Sequence, residues 1–250
     1  MEDDLTFDFS FDVSGKIWQL SIDENGNQVG IEVRDEEEQE LFFLVFDLNV
    51  IEVSDYLIVP GADWWTTIIA LRSGLLILDK YQDPQDPTKK SLLIFDTKTQ
   101  ADPIEIDDFQ FIRIDGERII GTAASDKSQS REFGLDGLKL DGAGDGKNIA
   151  EYPVFAASGS EIFNLSLEYL NQKIEMGVEY FETNDDIIIS YYVRSGAKFD
   201  RRLVVIQNGQ EIAHFTQDIG LNGYASGAYF VMKGYLIFIS NSNQINGIKI

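Results

Sequence analysis

Leu75-Leu76-Ile77-Leu78-Asp79 and Leu92-Leu93-Ile94-Phe95-Asp96 are one phrase written twice, an apolar quartet closed by an aspartate. Variants are Tyr56-Leu57-Ile58-Val59-Pro60, Tyr235-Leu236-Ile237-Phe238-Ile239 and the run 41–46 that ends in Asp47. Apolar runs of this length between turn signals read as strands buried on both faces. Many short strands at even spacing imply stacked or radially repeated sheets.

Working outward, the first fifty residues set the pattern. Phe7, Phe9, Phe11 and Val13 alternate with Thr6, Asp8, Ser10 and Asp12, a period of two that no helix satisfies. After Ser14-Gly15, Trp18, Leu20 and Ile22 alternate with Gln19, Ser21 and Asp23. Asn25-Gly26 is a hairpin signal, because a type I′ turn needs positive φ at both central residues. Val29, Ile31 and Val33 then face one way, and an acidic turn over 35–40 leads into 41–46. These make a four-stranded meander. Runs 56–59, 65–71, 75–79 and 92–96 make a second. Both sets finish on Phe-Asp, at Phe46-Asp47 and Phe95-Asp96, 49 residues apart. Four-stranded units recurring at that spacing mark a β-propeller.

The pattern then loosens. Runs 112–114, 119–120 and 131–135 predict a third unit, and 142–146 an open loop. Phe163, Leu165, Leu167 and Tyr169 alternate, which predicts a strand, although Ile162, Leu165, Tyr169 and Met176 also fit a loose helical period. Runs 187–193 and 203–206 follow, and Asn208-Gly209 turns the chain into 211–215. Runs 229–232, 235–240 and 247–250 end it. Five units of about fifty residues use up the chain. The expected fold is all-β: one domain over 1–250, a five-bladed β-propeller-like repeat of four-stranded antiparallel meanders, closed where the last strand meets the first. A large β-sandwich is the alternative.

Composition narrows the function. The chain has 250 residues, with 43 acidic against 20 basic and a net charge of −23. Such a surface repels nucleic-acid backbones and anionic membranes. Its simplest role is solubility, with attraction of a basic partner as the functional alternative. With no cysteine, disulfides and thiolate chemistry are excluded and a reducing compartment is favoured. The acidic start, Met1-Glu2-Asp3-Asp4-Leu5, has no basic n-region or apolar h-region. No apolar run approaches the ~18 residues of a membrane span. A soluble cytoplasmic protein is expected.

Phe9-Ser10-Phe11-Asp12, Gly15-Lys16-Ile17-Trp18, Asp63-Trp64-Trp65 and the stretch 74–81 with Asp83-Pro84 resemble an uncharacterised bacterial domain-of-unknown-function family with propeller-like all-β repeats. The matching segments lie within residues 5–100, and no diagnostic motif follows. The resemblance implies a compact cytoplasmic all-β protein and supplies no catalytic residue. The Phe-Asp-Leu and Phe-Asp-Thr endings also look like strand ends of quinoprotein-type repeats. Those repeats continue with Gly and Trp, which this chain lacks after Asp47 and Asp96, so a quinone is not expected.

Little else points to chemistry. His214 is the only histidine, and no G-x-S-x-G elbow accompanies it, so a satisfied strand histidine is the favoured reading. Residues 141–148 partly follow calcium-loop spacing, but Ala143 occupies a ligand position and Tyr152 replaces the bidentate Glu. A glycine-rich loop is favoured, and no metal or cofactor is expected. Adjacent acids such as Asp107-Asp108 and Asp185-Asp186 point to opposite strand faces, whereas glycoside hydrolysis needs acids about 5–10 Å apart across a cleft. Trp64-Trp65 is the most informative pair: consecutive strand residues face opposite sides, so both are buried only if the strand is covered twice. The insertion 81–90 beside them carries Asp83-Pro84 and Asp86-Pro87, which hold a surface loop open. Trp64, Trp65, Tyr81, Asp83 and Asp86 are the candidate binding residues. The absence of Cys and the single His favour a non-enzymatic binding or scaffold module for a protein or small-molecule ligand. The alternative is a carboxylate-dependent hydrolase or lyase of glycan-type substrates.

Overall fold

Period-two alternation decides the architecture. The computed structural model describes residues 7–23, 27–135, 150–170, 172–223 and 227–250, which form twenty strands and one helix. The chain runs β1 (Phe9–Asp12), β2 (Lys16–Asp23), β3 (Gln28–Asp35), β4 (Glu40–Asp47), β5 (Glu52–Val53), β6 (Thr66–Arg72), β7 (Leu75–Tyr81), β8 (Lys90–Asp96) and β9 (Ile104–Asp107). It continues with β10 (Gln110–Asp115), β11 (Arg118–Thr122), β12 (Ser130–Gly134), β13 (Val154–Ala157), α1 (Glu161–Leu170) and β14 (Glu175–Glu182). The remaining strands are β15 (Asp186–Ser195), β16 (Lys198–Gln207), β17 (Gln210–Leu221), β18 (Tyr229–Met232), β19 (Tyr235–Ser240) and β20 (Gln244–Lys249).

These strands make five antiparallel sheets, in the orders β2-β3-β4-β5, β6-β7-β8-β9, β10-β11-β12, β13-β14-β15-β16-β17 and β18-β19-β20-β1. Apart from the β1–β20 pair, every strand pairs only with its sequence neighbours, which is the propeller-like meander repeat and not the Greek-key crossing of a sandwich. The third sheet has three strands among the described residues and the fourth has five. By contacts the chain divides into two compact units, 13–149 and 1–12 with 150–250.

In the unit 13–149, the repeated quartets are buried on both faces. Leu76 and Leu78 pack with Phe43, Val45 and Ile68, while Leu75 and Ile77 pack with Ile94, Phe109 and Ile119. Each such side chain contributes about 1.5–3 kcal/mol on burial. The aspartates that close the quartets turn the chain. Asp47 Oδ1 accepts the Asn49 N–H at 2.8 Å, and Asp96 Oδ1 accepts the Lys98 N–H at 2.9 Å. Four residues after each aspartate the backbone is left-handed, at Ile51 (φ 58) and Gln100 (φ 51). The leading strand of each sheet carries one bulge, at Trp18 in β2, Ile69 in β6 and Ile112 in β10.

In the other unit, Phe181, Ile188, Leu203 and Val205 pack against Tyr229, Leu236 and Phe238. The opposite face of that sheet, with Val178, Ile189 and Val204, is covered by α1 through Phe163. Asn208 (φ 50) and Gly209 (φ 75) make the expected left-handed turn between β16 and β17.

Three expectations are corrected. The segment 163–169 is helical, because the Ser160 hydroxyl caps the Phe163 N–H at 3.2 Å, Glu161 occupies the first turn, and Ile162, Phe163 and Leu167 share the apolar face. Residues 56–59 are not a strand. Only Leu57 bridges to Phe43, and Pro60-Gly61, the latter at φ 78, ends the run. The second meander takes β9 as its fourth strand instead. Lastly, β1 does not join the first meander but pairs with β20, Phe9 opposite Gly247. The Asn25-Gly26 turn and the loop 141–148 lie outside the described residues.

Gly247 explains the last pairing. A Cβ there would meet the Phe9 ring at 2.0 Å, so only glycine lets that ring lie across β20. Gly247→Ala is expected to cost about 1–3 kcal/mol by overpacking, read as a lowered thermal midpoint. Gly223→Ala, with nothing within 4 Å, should change little. Wild-type stability for Gly247→Ala would show that Phe9 does not hold β1 in place.

Candidate functional site

The site is built where β6 begins. Asp63 Oδ1 accepts the Trp65 N–H at 2.9 Å, and the Thr66 hydroxyl accepts the Asp63 N–H at 3.0 Å. This reciprocal turn fixes Trp64 and Trp65 just before the strand, on opposite faces of the sheet.

Trp64 faces β3. The Arg34 guanidinium lies 5.0 Å from its ring centre and 4.9 Å from that of Trp18, so the cation is held between two indoles. Arg34 donates from Nε to Glu32 at 2.7 Å, from Nη1 to the Trp64 carbonyl at 2.8 Å and from Nη2 to the Thr66 carbonyl at 3.0 Å. The other Glu32 oxygen accepts the Thr67 hydroxyl at 2.7 Å and the Ile68 N–H at 2.8 Å. Both charged side chains are buried and fully partnered.

Trp65 points the other way and is 50% exposed. Its carbonyl accepts the Tyr81 N–H at 3.2 Å, and Tyr81 is opposite Lys90, so the three residues form one row across the sheet end. Lys90 Nζ lies 4.0 Å from the Tyr81 ring centre and donates to Asp79 Oδ2 at 2.6 Å. Burial pushes the Lys90 pKa down, but its hydrogen bonds to Asp79 and Tyr81 and the Asp79 carboxylate beside it outweigh this and hold it above the ordinary value. Asp79 and Lys90 are both buried.

The 82–89 loop is a closed clamp. The Gln82 N–H donates to the Lys89 carbonyl at 2.8 Å. Asp83 Oδ1 accepts the Gln85 N–H at 3.0 Å, and Asp86 Oδ1 accepts the Thr88 N–H at 3.1 Å and the Thr88 hydroxyl at 2.6 Å. Lys89 Nζ sits 3.1 Å from Asp83 and 3.4 Å from Asp86. The Gln85 N–H first, then Lys89, holds the Asp83 carboxyl below its ordinary range; for Asp86 the Thr88 hydroxyl leads. The two Asp-Pro steps therefore lead into turns that close on themselves, where an open loop was expected.

Of the candidate residues, Trp65, Tyr81 and the stem of the 82–89 clamp come together, while Trp64 stands on the opposite face. Trp18, Arg34 and Lys90 were not anticipated. Trp18 alternates with Leu20 and Ile22 and so reads as core, but the β2 bulge falls on it and leaves it 50% exposed. A cleft of about 320 Å³ lies at the other ends of β2 and β6, lined by Asp23, Arg72, Ile69 and Phe111 among others. Its buried Asp23 carboxylate accepts the Ser73 N–H and lies 4.0 Å from Arg72.

In the other unit, His214 Nε2 is 2.6 Å from the buried Tyr191 hydroxyl, and Nδ1 is 3.3 Å from Glu211. Gln172 donates its side-chain amide to the same phenol. The imidazole is engaged on both nitrogens, a satisfied strand histidine. Among the described residues, no group of three or more His, Cys, Asp or Glu could hold a metal ion. No helix there is long and apolar enough to cross a membrane.

Residues 22–101 match the family model of a domain of unknown function, DUF4905. That segment contains Glu32, Arg34, Trp64, Trp65, Tyr81 and the whole clamp. No curated protein matches the chain. Among solved structures it is similar to the Pyrococcus horikoshii acylaminoacyl peptidase, at 9% identity and a TM-score of 0.31 over 91% of this chain and 36% of that one. It is also similar to the β-propeller domain of the Trilobed protease from Pyrococcus furiosus, at 11% identity and a TM-score of 0.30 over 93% of this chain and 78% of that domain. The chain thus spans about a third of the peptidase, and scores of this size decide neither fold nor function.

Removing one partner of a buried ion pair strands the other charge. Lys90→Met is expected to cost about 3–5 kcal/mol in denaturant unfolding, and Asp79→Leu combined with Lys90→Met much less. Equal losses for single and double variants would show that the pair is not coupled.

A carboxyl whose folded pKa is depressed contributes stability that is complete above its ordinary value and lost as pH falls through the lower, folded one. The Gln85 and Thr88 amide resonances should therefore hold their positions until the pH drops below 3.8, the ordinary aspartate value. Movement centred at or above 3.8 would contradict the clamp.

Proposed function

We propose that this chain is a non-enzymatic binding module whose recognition edge is Trp65, Tyr81 and the 82–89 clamp with Asp83 and Asp86, braced from behind by Trp64. The observation that carries this reading is the half-exposed Trp65 indole on a sheet end where the neighbouring charges are already paired. Recognition is commonly placed on loops held by a rigid scaffold, and exposed Trp and Tyr dominate the energetics of such patches. Asp83 and Asp86 are occupied by N–H donors and Lys89, an arrangement that suits a structural clamp better than an acid and a nucleophile facing a substrate. The partner in this reading is a small molecule or a protein, because a net charge of −23 disfavours nucleic acid and anionic membranes. A cytoplasmic location belongs to the same proposal, since a chain without cysteine needs no oxidising compartment.

The test is a thermal-shift screen of a metabolite and peptide library, followed by calorimetry on each hit. Loss of a central aromatic contact costs about 2 kcal/mol, so Trp65→Ala should weaken a genuine hit about 30-fold while leaving the circular dichroism unchanged. Hits whose affinity survives both Trp65→Ala and Tyr81→Ala would move the site elsewhere. A hit that mass spectrometry shows to be chemically turned over would overturn the non-enzymatic reading.

A further inference from the structure

We propose that the unit 1–12 with 150–250 carries a second site, a seat on Arg202 and Thr216 for the carboxylate group of a small molecule. The chain has eight arginines, all of them among the described residues. Seven have a carboxylate within 4.0 Å. Arg202 has none among the described residues, in a chain where acids outnumber bases 43 to 20. Its Nε is buried without a hydrogen-bond partner, while the residue as a whole is only partly buried. Such a guanidinium is neither satisfied within the sheet nor fully hydrated. A buried donor without a partner is costly, and a bound ion is one of the few ways to account for it.

The sheet sets this cation in a row that opens to water. Tyr191 on β15 is opposite Arg202 on β16, and Arg202 is opposite Thr216 on β17, so the three side chains share a face. It is the face that α1 covers: Tyr191 is fully buried there with Ile189, Val204 and Phe163, whereas Thr216 is exposed. A bulge at Gln217 breaks the register directly beside Arg202, an irregularity of the kind that re-aims side chains at sites. No neighbour supplies the counter-ion. The Tyr191 phenol bonds to His214 Nε2 at 2.6 Å and accepts from Gln172. Burial raises its pKa more than Arg202 lowers it, so the phenol stays neutral. Glu211 lies 3.3 Å from His214 Nδ1, and Asp200 accepts the Gly220 N–H at 2.9 Å. The exposed Thr216 hydroxyl has no hydrogen-bond partner among the described residues. One guanidinium offers one positive charge and a fork of donors that matches two carboxylate oxygens, and the hydroxyl can donate to the same group. A phosphate dianion would bring more charge than one cation neutralises. Two copies of a chain of net charge −23 repel one another, so the carboxylate comes from a small molecule and not from a second copy.

The full chain would be titrated with sodium acetate and sodium succinate while nuclear magnetic resonance follows the Arg202 Nε–Hε signal, assigned through its own backbone, and the Thr216 amide. Sodium phosphate is the rival probe, and sodium chloride at matched ionic strength is the control. Both signals are expected to move saturably with at least one carboxylate and not with chloride. Arg202→Lys, which keeps the charge and loses the fork, should abolish the Thr216 response. Thr216→Val, at an exposed position, should weaken binding about two- to tenfold with an unchanged melting point. Should Arg202→Lys fail to fold, Thr216→Val and the wild-type titration still decide. Saturation by phosphate and by neither carboxylate would overturn the carboxylate class. Movement on diluting the protein alone would assign the seat to a second copy and overturn the small-molecule source. An Arg202 signal that follows chloride as it follows acetate, or that moves with no probe, would overturn the site.

Discussion

The Glu32 carboxylate holds the start of the chain's propeller-like repeat together. It is fully buried, and it accepts from Arg34 on its own strand and from Thr67 and Ile68 on the leading strand of the next sheet. A buried carboxylate left unpaired would cost several kcal/mol, so each donor is needed. With Glu32 in place, Arg34 is fixed; with Arg34 fixed, Trp18 and Trp64 close over it, and Trp65, in the turn that leads into β6, is left half exposed. The other unit repeats the device, for Glu179 on β14 accepts the N–H groups of Gly227 at 2.6 Å and Ala228 at 2.9 Å, next to β18. Carboxylate-to-backbone bonds of this kind join neighbouring sheets, which hydrophobic packing alone would leave free to slide.

Much of this was legible in the residues. The Phe-Asp repeat does mark corresponding strand ends, because its aspartate makes the same turn at Asp47 and Asp96. The quartets at 75–78 and 92–95 are buried on both faces, as their lack of alternation requires, whereas the one at 56–59 is not a strand. What escaped was whatever depended on one residue more or less, or on distant partners. A single inserted residue at Trp18 reverses the face of a side chain whose neighbours all suggest core. The helix at 161–170 shares its apolar positions with a strand pattern, and a serine cap decided between them. The pairing of the first strand with the last was expected, but that it takes β1 out of the first meander was not, and the only local trace of this is the small residue opposite Phe9. For the site, Trp64 and Trp65 lie in the turn before β6, so strand alternation does not govern them. The cations that seat beside their rings, Arg34 and Lys90, lie on other strands and leave no mark near the tryptophans.

Net charge and local charge diverge in a way that bears on function. The chain carries a large excess of acids, yet the sheet end with Trp65 pairs its cations internally: Arg34 with Glu32, Lys90 with Asp79, Lys89 with two aspartates. Long-range repulsion is screened within about 8–10 Å at physiological salt. A ligand at this edge therefore responds chiefly to the nearest groups, in which three cations face four carboxylates, and less to the overall charge. That separates solubility, a property of the whole surface, from the electrostatics of this edge, where a single acid is in excess.

Exposure of Trp18 and Trp65 also carries a cost that stability alone does not explain. At 50% exposure each, an indole leaves on the order of 100 Å² of largely apolar surface in water, about 2–3 kcal/mol relative to full burial. Trp18 has a structural return, because its ring forms one wall of the Arg34 enclosure. Trp65 has none of that kind: its backbone completes the sheet row with Tyr81, and any residue could supply the same carbonyl. A threonine or lysine at position 65 would keep that hydrogen bond and suit the water-facing end of the sheet. The side chain present is instead the one with the largest rigid stacking face, half of it left in water. Features that break a local folding rule without a structural gain are where function is expected to reside, and that criterion is what singles out Trp65 for the binding role proposed above.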